Sequence, residues 1–165
     1  WDPKEKGKSY MVFEKNRKRY KPIRKLMTIP GISIIRANII AAIVCQPARF
    51  DNKHKFWGYC MLVRHIQISN GRIYGNKRFY GRRELRNVFL GAAENVMRLD
   101  GELRDRYDAL RAKGADHKDA KVNLARQIAS IALCLLKNND TYNENYAEYL
   151  RERKKLRKDF FEQSL

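Results

Sequence analysis

Apolar residues along most of the chain recur every three or four positions, the spacing that places side chains on one face of an α-helix. One such run covers residues 85–110, and a second covers residues 122–136. We predict that the first run forms a long helix, bent at Gly101, and that the second run packs antiparallel on it. Asp116 or Asp119 can cap the second helix. The pattern therefore predicts a mainly α fold with a long antiparallel helical pair.

The N-terminal part of the chain combines basic residues with a weaker apolar pattern. Residues 1–8 are polar and predict a mobile start, whereas residues 9–27 carry apolar side chains among basic ones and predict a helix that Pro22 either begins or breaks. We divide the chain into an N-terminal segment and helix that join an upstream domain (residues 1–25), a central domain (residues 26–141) and a charged helical tail (residues 142–165).

Proline and glycine interrupt the pattern within the central domain. Residues 26–43 contain two short apolar segments separated by Ile29-Pro30-Gly31-Ile32, which predicts a helix, a tight turn and a second helix. Residues 49–62 predict an amphipathic helix with Asp51 or Asn52 as its cap. Beyond it, apolar and polar residues alternate around Asn70-Gly71, so residues 63–80 predict a basic loop or a small β-hairpin.

The chain is strongly basic. Its 36 Lys and Arg residues against 18 Asp and Glu residues give a net charge of +18, and a field of that size attracts polyanions. Nucleic acid is the leading candidate partner, while charge alone leaves a ribosomal or generically basic protein or a membrane-surface binder as alternatives. A structural RNA-binding protein is a further class that would keep the basic loop. A hydrophobic content of 44% over 165 residues is sufficient for the core of one domain.

Other features narrow the class of protein. Three cysteines without a CxxC pair favour a reducing, intracellular setting. No apolar run approaches the roughly 18 residues of a membrane span, so we expect a soluble, cytoplasmic protein that does not act at membranes. Three scattered histidines lack metal-ligand spacing, and we assign no metal site. Because the chain begins at Trp1 rather than Met, we expect a longer parent protein.

The turn between the two short helices has the composition of a helix-hairpin-helix element. Glycine allows a tight turn with free backbone N–H groups, and the N-terminus of the following helix adds partial positive charge, so such a turn can contact the DNA backbone without reading bases. Ser33 stands where many such hairpins have a second glycine. A turn used only for packing is the alternative. The candidate DNA contacts are Pro30, Gly31, Ile32, Ser33 and Arg36.

A second candidate site lies in the basic loop around Ser69. A serine hydroxyl can attack phosphorus if guanidinium groups stabilise the developing oxyanion and a base accepts the proton. By spacing alone, Ser69 is more often an ordinary turn residue beside a phosphate-binding loop. The candidate nucleic-acid contacts that accompany it are Asn70, Gly71, Arg72, Lys77, Arg78, Arg82, Arg83 and Arg86.

Four segments, in order, resemble the C-terminal domain of the IS110/IS116/IS902 family of serine-dependent transposases, which is related to Piv-type invertases. The segments are LMTIPGI, then ARF with FWGYCML, then SNGRIYG with GRRELRNVFLGAA, and finally YDALRAKGADHKDAKVNLARQIASIALCLLK. The resemblance covers about residues 26–142. The chain departs from the family at Ser33, at Asn70, where glycine is common, and in the loop before Gly81, which is about one residue shorter.

The resemblance implies a DNA transposase or recombinase domain of a mobile insertion sequence. Ser69 matches the family's nucleophile, which forms a phosphoserine link to DNA, and Arg72, Arg78, Arg82 and Arg83 would hold the phosphate. The resemblance also implies an upstream RuvC-like domain that binds a divalent metal such as Mg²⁺, without which this chain would not complete catalysis. A structured guide RNA and a homo-oligomer of the full-length protein are implied as well. The alternative is a non-catalytic helix-hairpin-helix module of a repair or replication protein.

Overall fold

The computed structural model describes residues 3–63, 65–77 and 81–143. Within these ranges the fold is mainly α, as predicted, with seven α-helices, one 3₁₀ helix at Pro47–Arg49 and one antiparallel pair of strands. The predicted tail and Arg78 lie outside the described residues, apart from the tail's first two positions. The helices are α1 (Pro3–Arg19), α2 (Lys21–Leu26), α3 (Ile34–Val44), α4 (Lys53–Tyr59), α5 (Arg83–Val96), α6 (Glu102–Ala112) and α7 (His117–Asn138), and the strands are β1 (His65–Ser69) and β2 (Arg72–Lys77).

Helix α7 lies at the centre of the hydrophobic core. It packs against α2, α4, α5 and α6, and its contact with α5 is the most extensive between any two helices of the described chain. Both helices of that pair bury alanines, including Ala92 on α5 and Ala129 on α7. Alanine adds only a methyl group, so two helix backbones can approach closely where it lines the contact. The aromatic rings of Phe56 and Phe89, 6.1 Å apart and nearly perpendicular, join α4 to α5.

The long helix predicted over residues 85–110 is divided into α5 and α6. Gly101 has a φ of +140°, a conformation outside the helical region that favours glycine. Its carbonyl accepts hydrogen bonds from the backbone N–H groups of Arg104 and Asp105, which begins the new helix. The side chain of Arg104 donates to the carbonyl of Met97 and so ties the start of α6 to the end of α5.

The N-terminal region is more helical than its polar composition indicated. Helix α1 begins at Pro3, so residues 3–8 are helical and do not form the predicted mobile start. Proline suits the first turn of a helix because the N–H group that it lacks has no partner there. For the same reason Pro22 begins a helix: it lies in the first turn of α2, after Tyr20 in an extended conformation.

The helix predicted over residues 49–62 is also shorter than expected. The chain first forms the 3₁₀ turn at Pro47–Arg49, and α4 then covers only Lys53–Tyr59. Of the two predicted caps, Asn52 is used: its side-chain oxygen accepts the backbone N–H of Lys55 at 3.0 Å. The helix ends before Met61, whose φ of +53° cannot continue an α-helix. No helix in the described residues is long and apolar enough to cross a membrane.

The turn between α2 and α3 packs directly on α5. Gly31 has a φ of +81°, and a Cβ atom at this position would lie 2.5 Å from the carbonyl oxygen of Ala92 and 2.9 Å from a methyl carbon of Val96. Glycine is therefore required twice, for the backbone conformation and for the approach of the turn to the helix. Gly31 thus has a packing role that does not depend on a ligand.

We predict that Gly31→Ala lowers the free energy of unfolding by about 2–4 kcal/mol, because it combines an unfavourable backbone conformation with a steric clash. The matched control is Gly114→Ala: Gly114 has a similar φ of +87° with no atom within 4 Å of a Cβ, so we expect a loss of about 1–2 kcal/mol. Urea denaturation of the two variants measures the difference. Equal losses would show that the clash with α5 is absent.

Candidate nucleic-acid interface

The segment that follows α4 forms a β-hairpin. Strand β1 pairs antiparallel with β2, with His65 opposite Lys77 at the open end and Ser69 opposite Arg72 at the closed end. Asn70 and Gly71 form the two-residue turn, with φ values of +49° and +72°. Positive φ at both positions is characteristic of a type I′ turn, for which Asn-Gly is a favoured pair. Of the two predicted forms, the chain adopts the hairpin.

The register places Ser69 at the tip of the hairpin and separates the basic residues into two groups. Arg72, Asn70 and Gly71 lie beside Ser69 at the closed end. Lys77 lies at the open end, and because a strand rises about 3.4 Å per residue, the two ends are on the order of 14 Å apart.

Two further predicted arginines, Arg82 and Arg83, lie where the chain enters α5. The backbone N–H of Arg82 donates to the carbonyl of Tyr59 at 2.8 Å. Gly81 approaches the end of α4 so closely that a Cβ atom would lie 2.5 Å from the same carbonyl oxygen. Arg82 and Arg83 are exposed there at the start of α5.

The side chains of two predicted contact residues, Arg36 and Arg86, donate hydrogen bonds to backbone carbonyls within the protein. Arg86 is partly buried, and its guanidinium donates to the carbonyl of Met61 at 2.5 Å, which joins α5 to the end of α4. Arg36 donates to the carbonyl of Gly31 at 2.9 Å, and its guanidinium also lies against Gly91 on α5. Both arginines therefore have a structural role whether or not they also contact a ligand.

The α2–α3 turn borders a shallow recess of about 360 Å³ on the surface. Ser33 is exposed at the N-cap of α3, and its side chain makes no capping hydrogen bond, whereas Ile32 is buried in the core and Pro30 is partly buried. The first N–H groups of an α-helix have no partner within the helix. The exposed Arg98, at the end of α5, also lines this recess. Sequence reasoning missed Arg98 because only tertiary packing brings the end of α5 to this turn.

Arg82, a predicted contact residue, lies beside two residues that sequence reasoning missed, Arg49 and Tyr59. The guanidinium carbon of Arg49 lies 4.7 Å from the ring centre of Tyr59, and Nε of Arg82 donates to the Tyr59 hydroxyl at 3.4 Å. Burial raises the pKa of Tyr59, but the hydrogen bonds and positive charges of Arg82 and Arg49 outweigh burial, so the pKa is lowered. We call Arg49, Tyr59 and Arg82 the Arg-Tyr-Arg cluster.

The chain also has metal-ligating and other titratable side chains besides the arginines. The part of the chain that the structure describes has no group of three or more His, Cys, Asp or Glu residues that could hold a metal ion. Cys60 is buried beneath the core, and burial raises the pKa of its thiol. Tyr107 shares a hydrogen bond of 2.7 Å with His117, which joins α6 to the start of α7.

We predict different effects for the two neighbouring arginines of α5. Arg86→Gln should lower the free energy of unfolding by about 1–2 kcal/mol, because the hydrogen bond to the carbonyl of Met61 is lost at a partly buried position. Arg83→Gln removes the same charge from an exposed position and should change stability by less than about 0.5 kcal/mol. Chemical denaturation of both variants tests the assignment, and a neutral Arg86→Gln would contradict it.

The sequence is similar to a known protein family and to a known protein. The family model described as transposase IS116/IS110/IS902 matches residues 23–108, just over half of the chain. The match includes the α2–α3 turn, the hairpin and α5. The chain is also 27% identical over 118 residues to an insertion element IS110 uncharacterized 43.6 kDa protein from Streptomyces coelicolor. That alignment covers 71% of this chain but only 29% of the relative. The chain belongs to the transposase IS116/IS110/IS902 family.

Proposed function

We propose that this chain is the DNA-binding and catalytic domain of a transposase that cleaves and exchanges DNA strands through a phosphoserine intermediate. The observation that carries the proposal is the position of Ser69 at the tip of a β-hairpin, opposite Arg72, within the range that matches the transposase family. A net charge of +18 supports DNA as the partner. The tip of a two-residue hairpin can reach a phosphodiester that the helical body does not touch.

The proposed reaction is a transesterification at phosphorus. The Ser69 oxygen forms a bond to phosphorus while one ester bond of the DNA strand breaks, and the departing oxygen becomes the hydroxyl of a freed strand end. The phosphoserine conserves the energy of the broken ester, so attack by another strand end reverses the step. Arg72 stabilises negative charge on the phosphorus oxygens. The serine proton passes to a base that we place in an upstream RuvC-like domain.

The same proposal assigns DNA-backbone contacts to the helical body. The N-terminus of α3 and the exposed Arg98 border one recess, in which free N–H groups and a guanidinium can hold a phosphate. Arg83 extends the positive surface at the start of α5. Such contacts position DNA but carry no sequence information. A structured guide RNA, a homo-oligomer and a divalent metal such as Mg²⁺ in the upstream domain complete the proposal for the longer protein.

The covalent intermediate provides the direct test. We expect that a longer protein containing this chain and its upstream domain, incubated with Mg²⁺, guide RNA and labelled target DNA, forms a protein–DNA adduct that survives denaturation. Ser69→Ala should abolish the adduct, because the nucleophile is lost, and should change DNA affinity by less than about twofold, since one neutral hydroxyl contributes little to phosphate binding. Denaturing gel electrophoresis and fluorescence anisotropy measure the two properties.

Ser9→Ala is the matched control, since Ser9 is an exposed serine on α1 that has no part in the proposal. It should leave both the adduct and the affinity unchanged. An adduct that persists in Ser69→Ala would remove Ser69 from the mechanism. DNA binding without an adduct in any variant would instead favour the non-catalytic DNA-binding module, for which the recess at the α2–α3 turn is the supporting observation.

A further inference from the structure

We propose that the Arg-Tyr-Arg cluster is a phosphodiester-binding site between the end of α4 and the start of α5, separate from the phosphate proposed to react at Ser69. The inference rests on the proposed function for the identity of its ligand, a DNA strand. It adds Arg49 and Tyr59 to the DNA-binding surface, and it assigns Arg82 to this second phosphate.

The guanidinium of Arg49 is held in place by aromatic rings. Its central carbon lies 4.6 Å from the ring centre of Phe50 and 4.7 Å from that of Tyr59, while one terminal nitrogen donates to the carbonyl of Ile43 at 3.3 Å. The residue as a whole is exposed. An arginine fixed by stacking loses less conformational entropy on binding a ligand than a free one, and a guanidinium has further N–H groups with which to bind.

The backbone around Arg82 is equally constrained. Its N–H donates to the carbonyl of Tyr59, and the preceding Gly81 lies against that same carbonyl. The exposed Arg82 side chain then reaches the Tyr59 hydroxyl as a donor, at 3.4 Å. A tyrosine hydroxyl that accepts a hydrogen bond can still donate its own proton to another acceptor. The cluster therefore offers two guanidinium groups and one hydroxyl that can all donate to an anion.

The two cations of the cluster are not neutralised within the described chain. Neither Arg49 nor Arg82 is within ion-pair distance of a carboxylate there: the nearby Asp51 pairs with Lys55, and Glu84 acts on Arg82 only through its longer-range charge. A phosphodiester carries one negative charge on two free oxygens, and guanidinium groups bind such oxygens through paired hydrogen bonds. A DNA backbone supplies that anion repeatedly along a strand.

The cluster flanks the hairpin in the sequence. Strand β1 begins six residues after Tyr59, and β2 ends five residues before Arg82. A DNA strand bound at the cluster would therefore be held by residues on both sides of the segment that carries Ser69.

The test measures the affinity of the 165-residue chain for a fluorescently labelled DNA duplex at several salt concentrations by anisotropy. We expect Arg49→Gln and Arg82→Gln each to weaken binding about fivefold to tenfold, and to reduce the slope of log K against log salt by about 1. Tyr59→Phe, which keeps the ring beneath Arg49, should weaken binding about twofold. Lys113→Gln, a matched loss of one exposed charge at the end of α6, should change affinity by less than about twofold.

The possible failures are distinguishable. If Arg49→Gln and Arg82→Gln bind DNA as well as Lys113→Gln does, the site is overturned while DNA binding by the chain stands. If the unaltered chain shows no salt-dependent DNA binding, both this inference and the proposed function are overturned. If the two variants lose affinity for an RNA duplex but not for the DNA duplex, the assignment of DNA as the ligand is overturned. Because Arg82 is exposed, we expect Arg82→Gln to fold normally. This variant alone therefore tests the proposed site even if Arg49→Gln disturbs folding.

Discussion

Helix α5 positions the candidate sites because it is packed on two sides. It contacts α7, and it also receives the turn before α3. Gly31 of that turn lies against Ala92 and Val96 in the second half of α5. Arg98, just beyond the end of α5, lines the recess beside the same turn. A displacement of α5 relative to α7 would therefore move the segment that follows the hairpin and would disturb the recess at the same time.

The helices were predictable where one face is continuously apolar, as in α5, α6 and α7. The break between α5 and α6 was harder to predict, because the apolar repeat continues across it and both helices turn that repeat towards α7. Only Gly101 marks the interruption. The prediction for the first residues of α1 was wrong for the opposite reason, because these residues have no apolar face. Helix formation there depends on local propensity and on Pro3 in the first turn.

The candidate sites show the same division between local and tertiary information. The hairpin tip follows from local chemistry, since Asn70-Gly71 favours one turn type and thereby pairs Ser69 with Arg72. The Arg-Tyr-Arg cluster forms where the end of α4 meets the start of α5. Its members come from three separate segments of the chain, so only tertiary packing brings them together. Arg36 and Arg86 illustrate the converse, because their sequence positions suggested ligand contacts but their side chains bond to carbonyls within the fold.

The close contact of Gly31 with Ala92 has a consequence for genetics. If the chain acts in a transposase as proposed, a selection for alleles that fail to transpose would collect substitutions of this glycine alongside those of the proposed DNA-contact residues, although the former act through folding. Heat would separate the two classes, because a packing defect worsens as the fold approaches its melting temperature, whereas a missing nucleophile is equally harmful at every temperature. Conditional phenotypes at Gly31 and unconditional ones at Ser69, the proposed nucleophile, would thus distinguish folding defects from loss of the proposed chemistry.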